Sequence, residues 1–202
     1  MPRLEQGNIA EAIRGAAAEL FFKQGYEATT LRQVSAKVGI QVGSLYNHIN
    51  SKEELLTGIM TEIMDDLLEA IREVVDRQEP AVIALRAAID CHIRFHAHRA
   101  RDVFIGNSEL RSLSAPQLSL VMKKRDEYEA VIRDLVARVA QEENVDVLNI
   151  RLQTYAILAL GAHVSSWFKP GGPMSLDAIV AIYGDMIFRQ LGLGSLGPSE
   201  NR

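Results

Sequence analysis

The sequence has few of the features that would anchor a protein in a membrane or cross-link it. Its 202 residues include a single cysteine, Cys91, so no intrachain disulfide can form. It contains no run of about 18 apolar residues, and the N-terminus lacks the apolar stretch of a secretory signal. We therefore expect a protein of the cytosol without a membrane partner.

Short catalytic motifs are also absent. The chain contains no phosphate-binding loop, no nucleophile elbow and no dinucleotide-binding glycine motif. The alternation of apolar and polar residues that is typical of strands does not occur, whereas apolar residues recur at helical spacing along most of the chain. These observations predict an all-α protein that is not an enzyme and needs no cofactor.

A short amphipathic helix is predicted near residue 31. Leu31, Val34 and Val38 recur at positions i, i+3 and i+7 and therefore share one helical face. Thr30 and Gln33 have the spacing of a capping box, in which each side chain satisfies a backbone N–H that lacks a helical partner. We therefore expect the helix to begin near Leu31.

A second short helix should follow a sharp turn at Gly39, because a helix end of this kind needs a residue with positive φ. Leu45 and Ile49, four residues apart, supply its buried face. The outward face is small and polar, unlike an ordinary solvated face, and consists of Gln41, Val42, Gly43, Ser44, Asn47 and His48. The two helices predict a DNA-reading helix-turn-helix, with a helical hairpin in a plain all-α core as the alternative.

Specific residues can be assigned to the two kinds of DNA contact. Base reading is expected from Gln41, Val42, Gly43 and Ser44, and contacts to the sugar-phosphate backbone from Thr30, Arg32, Tyr46, Asn47, His48 and Lys52. The net charge of −4 splits in the expected direction. Residues 1–52 hold six Lys and Arg against four Glu, a balance of +2, which leaves −6 for the remainder. This asymmetry is too small to predict DNA binding by itself.

The segment from Ala28 to Leu55 resembles the signature of TetR-type transcriptional regulators. Before it, Leu20, Phe21, Gly25 and Tyr26 stand where that family carries its preceding helix and turn. Ile49 departs from the family, which usually has Phe there, and Asn47 is a second departure. The resemblance implies a repressor that binds a double-stranded DNA operator as a homodimer and responds to a small-molecule effector.

The predicted organisation is a three-helix head, residues 1–52, a six-helix body, residues 53–193, and a flexible tail, residues 194–202. About nine helices are expected: the short helix that carries Leu45 and Ile49, and eight others at 9–24, 31–38, 51–75, 80–98, 101–113, 117–142, 147–168 and 175–191, with 144–146 capping the helix at 147–168. The family resemblance implies that the last two helices form the dimer interface, which their apolar content also favours. The alternative is that they pack inside a monomer.

Two further segments resemble the branch of the family that controls fatty-acid and sterol breakdown in response to acyl-CoA thioesters. These are Trp167 to Leu176, in which Phe168 replaces Tyr and Lys169 replaces Arg, and Asn107 to Leu113. An acyl-CoA needs an apolar slot and cations for its phosphates. The expected ligand-binding residues are Arg94, Phe95, Phe104, Asn107, Arg111, Arg125, Trp167, Phe168 and Lys169.

Three alternatives stay open for the body. A multidrug sensor for aromatic cations would use acidic residues such as Glu109, Asp126 and Glu127. A metal sensor would use His92 and His96, which share a helical face, although no zinc-protease motif joins them. Trp167 itself is compatible with the core of a dimer interface as well as with the wall of a ligand-binding pocket.

Overall fold

The computed structural model describes residues 6–76 and 78–194, and within these ranges the chain forms helices and turns only, which confirms the predicted all-α class. The predicted flexible tail lies outside the described residues, apart from Gly194. The helices are α1 Gln6–Gln24, α2 Leu31–Val38, α3 Val42–Leu45, α4 Lys52–Val74, α5 Ala81–His98, α6 Ala100–Ser108, α7 Ala115–Glu142, α8 Ile150–Trp167 and α9 Leu176–Gln190.

Helix ends agree with the sequence where a capping side chain marks them. Ser51 Oγ accepts a hydrogen bond from the backbone N–H of Glu54 at 2.9 Å, just before α4. Ser175 Oγ accepts from the N–H of Ala178 at 3.2 Å and caps α9. Both caps satisfy an N–H of the first helical turn that has no partner within the helix.

The start of α8 was predicted wrongly. Residues 144–146 do not cap it, and Asn144 instead has a φ of 51°, which places it in a left-handed turn after α7. Asn149 is the cap, and its Oδ1 accepts from the N–H of Leu152 at 3.0 Å. A second difference is that the helix predicted over 101–113 is divided into α6 and a separate 3₁₀ turn, Leu110–Ser112.

The described chain forms two compact units that are discontinuous in sequence. The first unit comprises the residues up to Asp65 and residues 101–124; the second comprises residues 66–100 and the residues from Arg125 onward. Local sequence gave no signal that 101–124 would cluster with the N-terminal helices. The division at residues 52 and 53 stays a prediction.

Each unit has its own apolar interior. In the first unit α1 packs against α2, and α2 against α3, around Phe21, Val34 and Leu45, which are fully buried. In the second unit α5 packs against α8 and α9, with Leu85 and Ile93 fully buried. Burial of such side chains stabilises a fold by roughly 1.5–3 kcal/mol each.

Candidate DNA interface and effector-binding body

The helix-turn-helix forms as the sequence predicts, except that α3 ends at Leu45, so that Ile49 lies beyond the helix. Thr30 Oγ1 accepts from the N–H of Gln33 at 3.3 Å, and Gln33 Oε1 accepts from the N–H of Thr30 at 2.8 Å, so the capping box is complete. Gly39 ends α2 with a φ of 79°, which is strained for any residue with a Cβ. The turn therefore directs the chain into α3 at a defined angle.

Most of the predicted DNA-contacting side chains lie on the surface. Exposed are Thr30, Arg32, Gln41, Gly43, Ser44, Tyr46 and Asn47, whereas Val42, His48 and Lys52 are half-buried. Tyr46 is 54% exposed although it is an aromatic residue, and nothing lies within 4 Å of a Cβ built on Gly43. Leu45 is fully buried and Ile49 is nearly so, and their burial in the apolar interior fixes the orientation of residues 41–48. The surface is accessible, small and polar, as base reading in a groove requires.

Lys52 has an internal role that the sequence did not predict. Its Nζ donates to the backbone carbonyls of Tyr26, at 2.9 Å, and Thr29, at 3.1 Å. The same ammonium lies 4.1 Å from the centroid of the Tyr26 ring, a cation–π contact. Lys52 therefore ties the start of α4 to the turn between α1 and α2, which leaves one of its three N–H donors for a phosphate.

A carboxylate joins α1 to α2. Glu19 Oε1 pairs with Lys23 at 2.7 Å and with Lys37 at 2.9 Å. The hydrogen bonds from Lys23 and then Lys37 lower the pKa of Glu19 to about 2, so this carboxylate stays charged at any ordinary pH. Glu19 thereby holds Lys37 beside α1, which limits the reach of this cation toward a nucleic acid.

Residues of the 101–124 segment contact the end of α1 and the turn that follows it within the first unit. Glu109 Oε1 accepts from the N–H of Tyr26 at 3.3 Å, and its Oε2 accepts from the Ser112 hydroxyl at 3.1 Å. Phe104 packs edge-on against Phe22 with ring centroids 5.3 Å apart. The acidic Glu109, considered above for a cation sensor, is thus engaged with the protein's own backbone.

The second unit has a buried polar chain at its centre. His92 is 2% exposed; its Nε2 lies 3.1 Å from the carbonyl oxygen of Leu158, and its Nδ1 lies 2.6 Å from the hydroxyl of Tyr128. A carbonyl can only accept, so Nε2 carries the proton and Tyr128 donates to Nδ1. Burial lowers the pKa of His92 to about 4, and the bond to Leu158 opposes this only partly. His92 is therefore neutral at physiological pH.

This geometry does not support the metal-sensor alternative. Both ring nitrogens of His92 are already engaged, so neither offers a free lone pair to a metal ion. Within the described part of the chain, no group of three or more His, Cys, Asp or Glu side chains is arranged to hold a metal.

Two predicted ligand residues line a groove of about 390 Å³ in the second unit. Arg94 and Phe95 contribute to its wall, together with Val74, Ala87, Asp90, Cys91 and His98. Arg94 is not a free cation, because its Nε bonds to Asp90 and its Nη1 lies 2.7 Å from Asp177. Burial raises the pKa of the Cys91 thiol, so this wall carries a protonated thiol rather than a thiolate.

The other predicted ligand residues are divided between the units. Phe104, Asn107 and Arg111 belong to the first unit, whereas Arg125, Trp167, Phe168 and Lys169 belong to the second. Burial lowers the pKa of Arg125 from its ordinary value. Trp167 is 41% exposed at the end of α8 and lies 6.4 Å from the ring of Tyr183, and Lys169 is exposed in the following turn. Neither unit contains all of the predicted ligand-binding residues.

Helices α8 and α9 expose an apolar stripe. On α8 the stripe runs through Leu152, Tyr155 and Ala159, and on α9 through Ile182 and Met186. Leu152 is 64% exposed and Ile182 is 48% exposed. Exposed apolar side chains that share one face of a helix are typical of an interaction surface.

Within the described ranges, no helix has both the length and the apolar content needed to cross a bilayer.

The fold and the helix-turn-helix define the class as a DNA-binding regulatory protein, and comparison with known proteins identifies the family. Residues 13–59 match the profile of bacterial regulatory proteins of the tetR family, and residues 78–191 match that of the tetracyclin repressor-like C-terminal domain. The second match alone spans more than half of the chain. The chain therefore belongs to the TetR family of transcriptional regulators.

Relatives in this family share most of the length of the chain. It is 29% identical over 166 residues to the HTH-type transcriptional repressor KstR2 of Mycolicibacterium smegmatis, covering 81% of this chain and 80% of that protein. A tetR-family regulatory protein from Rhodococcus RHA1 superposes with a TM-score of 0.87 at 28% identity, covering 95% of this chain and 100% of that one. AibR, solved in complex with isovaleryl coenzyme A and operator DNA, has a TM-score of 0.81 at 24% identity, covering 89% and 98%.

Proposed function

We propose that this transcriptional repressor binds its operator as a homodimer and is released from it by an acyl-CoA thioester. The observation that carries the proposal is the exposed, small and polar surface of residues 41–47, held by a complete capping box and the positive φ of Gly39. Repression by the relative KstR2 supports the direction of control, and the AibR fold accommodates both operator DNA and a CoA thioester.

The DNA-reading surface comprises Gln41, Val42, Gly43 and Ser44, with Thr30, Arg32, Tyr46, Asn47, His48 and Lys52 on the phosphate backbone. At Gly43 the backbone can approach base edges closely because no side chain intervenes. A Cβ at this position meets nothing within 4 Å in the protein, so alanine is tolerated by the fold. A new methyl group here is therefore expected to affect DNA binding and not the fold.

This placement is tested with duplexes selected from a random library by the wild-type protein. Gly43→Ala should weaken binding about tenfold or more, equivalent to about 1.4 kcal/mol, and Tyr46→Ala should abolish it. Gly58→Ala is the matched control, because that glycine lies in α4 and likewise has nothing within 4 Å. Unchanged affinity of both the Gly43 and the Tyr46 variant in fluorescence anisotropy would move the DNA-reading surface elsewhere.

The homodimer is proposed to form through the apolar stripe of α8 and α9. The exposed Leu152, Tyr155, Ile182 and Met186 would be covered by the same stripe of a second copy, as in a twofold interface. A dimer also places two reading surfaces on one operator, so that phosphate contacts and base contacts are made twice.

The effector is proposed to be an acyl-CoA, on the resemblance of the Trp167–Leu176 and Asn107–Leu113 segments to the acyl-CoA-responsive branch. Arg94, Phe95, Phe104, Asn107, Arg111, Arg125, Trp167, Phe168 and Lys169 remain the proposed contacts. Arg94 is already paired with two carboxylates. Lys169, which is exposed and lies in the same unit as Arg94, is therefore the better candidate to meet a phosphate.

Calorimetric titration distinguishes the effector classes. The panel comprises acyl-CoA thioesters of different length and ring content, with free CoA and a cationic dye as controls. Saturable binding of a thioester, followed by release of the selected duplex, supports the proposal. Binding of the dye alone would instead support the multidrug sensor.

A further inference from the structure

An unpaired imidazole lies one helical turn beyond His92. The rings of His96 and His92 are 4.3 Å apart and meet edge to face. His96 Nδ1 is sealed from solvent and has no hydrogen-bond partner among the described residues. His92 cannot serve as its partner, because Tyr128 and the Leu158 carbonyl already occupy both nitrogens of His92.

A buried polar atom without a hydrogen-bond partner lowers the stability of the folded protein. Leaving a buried donor or acceptor without a partner destabilises a protein by roughly 1–3 kcal/mol, and native structures contain few of them. The helix could bury an apolar side chain at this position without that cost. A nitrogen held here without a protein partner is explained by a ligand that supplies the missing bond.

The chemistry of this ligand follows from the charge state of the site. Burial, and secondarily the nearby His92, lower the pKa of His96 to about 2, so its ring is neutral and offers one donor and one acceptor. Burial also raises the pKa of Tyr128, which is therefore a neutral hydroxyl. Neutral partners suit an uncharged oxygen, whereas a carboxylate or an ammonium group would be desolvated here without a counter-charge.

We propose that His96 is the specificity-determining residue of the effector site, and that it selects an acyl group that carries a hydroxyl or keto oxygen. This inference rests on the proposed function, since it concerns the acyl part of the CoA thioester. His96 as a residue is half-buried although Nδ1 is sealed, and its ring centroid lies 6.0 Å from that of Phe95, which lines the groove of the second unit. Removal of the oxygen from the ligand would leave Nδ1 unpaired again, which is how buried polar sites discriminate.

The test compares octanoyl-CoA with its positional series of hydroxy and oxo derivatives by calorimetry. Wild-type protein should bind at least one oxygenated derivative about tenfold more tightly than octanoyl-CoA itself. His96→Phe and His96→Leu should lose the preference, so that octanoyl-CoA and its oxygenated derivatives bind with similar affinity. His96→Asn should keep part of it, because its amide places a hydrogen-bonding atom near the position of Nδ1.

Two control variants separate a loss of ligand preference from a loss of stability and from a general effect of substitution on this helix. His96→Leu should be at least as stable to urea as the wild type, because it removes an unpaired buried atom. Ile83→Phe, on the same helix but exposed and outside the groove lining, should leave the preference unchanged. If no CoA thioester binds the wild type, the proposed function fails together with this inference. If thioesters bind but no oxygenated derivative is preferred, or if His96→Leu keeps the preference, only this inference is overturned.

Discussion

Gly161→Ala should destabilise the second unit, although replacing a glycine inside a helix normally has the opposite effect. Gly161 lies in α8 beside the buried His92. A Cβ built on Gly161 would lie 2.3 Å from Cδ2 and 2.7 Å from Nε2 of that ring, far inside van der Waals contact. The imidazole cannot simply rotate away, because the Tyr128 hydroxyl and the Leu158 carbonyl hold it from both sides.

The magnitude follows from three opposing contributions. Alanine gains about 1 kcal/mol over glycine in a helix. Overpacking of a buried site costs about 1–3 kcal/mol, and detaching the Nε2 proton from the Leu158 carbonyl leaves a buried donor unpaired, which costs about 1–3 kcal/mol. The net loss should be about 1–5 kcal/mol in the free energy of unfolding, with a midpoint near 3 kcal/mol.

Urea unfolding followed by circular dichroism at one fixed protein concentration measures this loss, since the stability of a dimer depends on concentration. Gly15→Ala is the matched control, because that glycine lies within α1 and has nothing within 4 Å; it should gain about 0.5–1 kcal/mol. Adding Gly161→Ala to a His92→Ala background should cost nothing, because the clashing ring is gone. The reasoning is refuted if Gly161→Ala is as stable as Gly15→Ala.

Three other perturbations test separate parts of the molecule. Lys52→Met should lower the stability of the first unit by about 1–2 kcal/mol in urea, because two backbone carbonyls lose their charged donor; unchanged stability would mean that Lys52 contributes only to DNA binding. His92 has a folded pKa of about 4, below its unfolded value of about 6.5, so its contribution is complete above about pH 6.5 and declines as the pH falls toward 4. Between pH 7 and pH 5, protonation linked to His92 alone should lower the free energy of unfolding by about 2 kcal/mol. This prediction is contradicted if a His92→Gln variant shows the same pH dependence as the wild type. Ile182→Lys should convert the dimer to a monomer in sedimentation analysis, whereas Ile83→Lys, an equally exposed apolar position on α5, should not.

Features encoded over a few residues were predictable from the sequence. Thr30 and Gln33 cap α2, Gly39 ends it, and Ser175 begins α9, because each signal is a side chain that bonds to backbone within three or four positions. The same locality explains the error at α8. Asn144 and Asn149 are both acceptable capping residues by type, and only the backbone conformation of the turn after α7 determines which of them is the cap.

The candidate effector site was less predictable. Arg94 and Phe95, both predicted to bind the ligand, are neighbours on one helix and line one groove, but their ligand-binding role stays a prediction. The pairing of Arg94 with Asp177 was not foreseeable, because the two residues are brought together only when α9 packs on α5.

By itself, the sequence determined the all-α class, the helix-turn-helix and the TetR resemblance, since periodicity, caps and a glycine turn are local properties of the chain. Only the tertiary structure assigned Lys52 to the carbonyls of Tyr26 and Thr29, grouped residues 101–124 with the N-terminal helices, and left His96 as the unpaired member of the histidine pair. The physical reason is that a side chain's donors, acceptors and charge depend on which distant segments pack around it, and helical periodicity specifies which face of a helix is buried but not its partner.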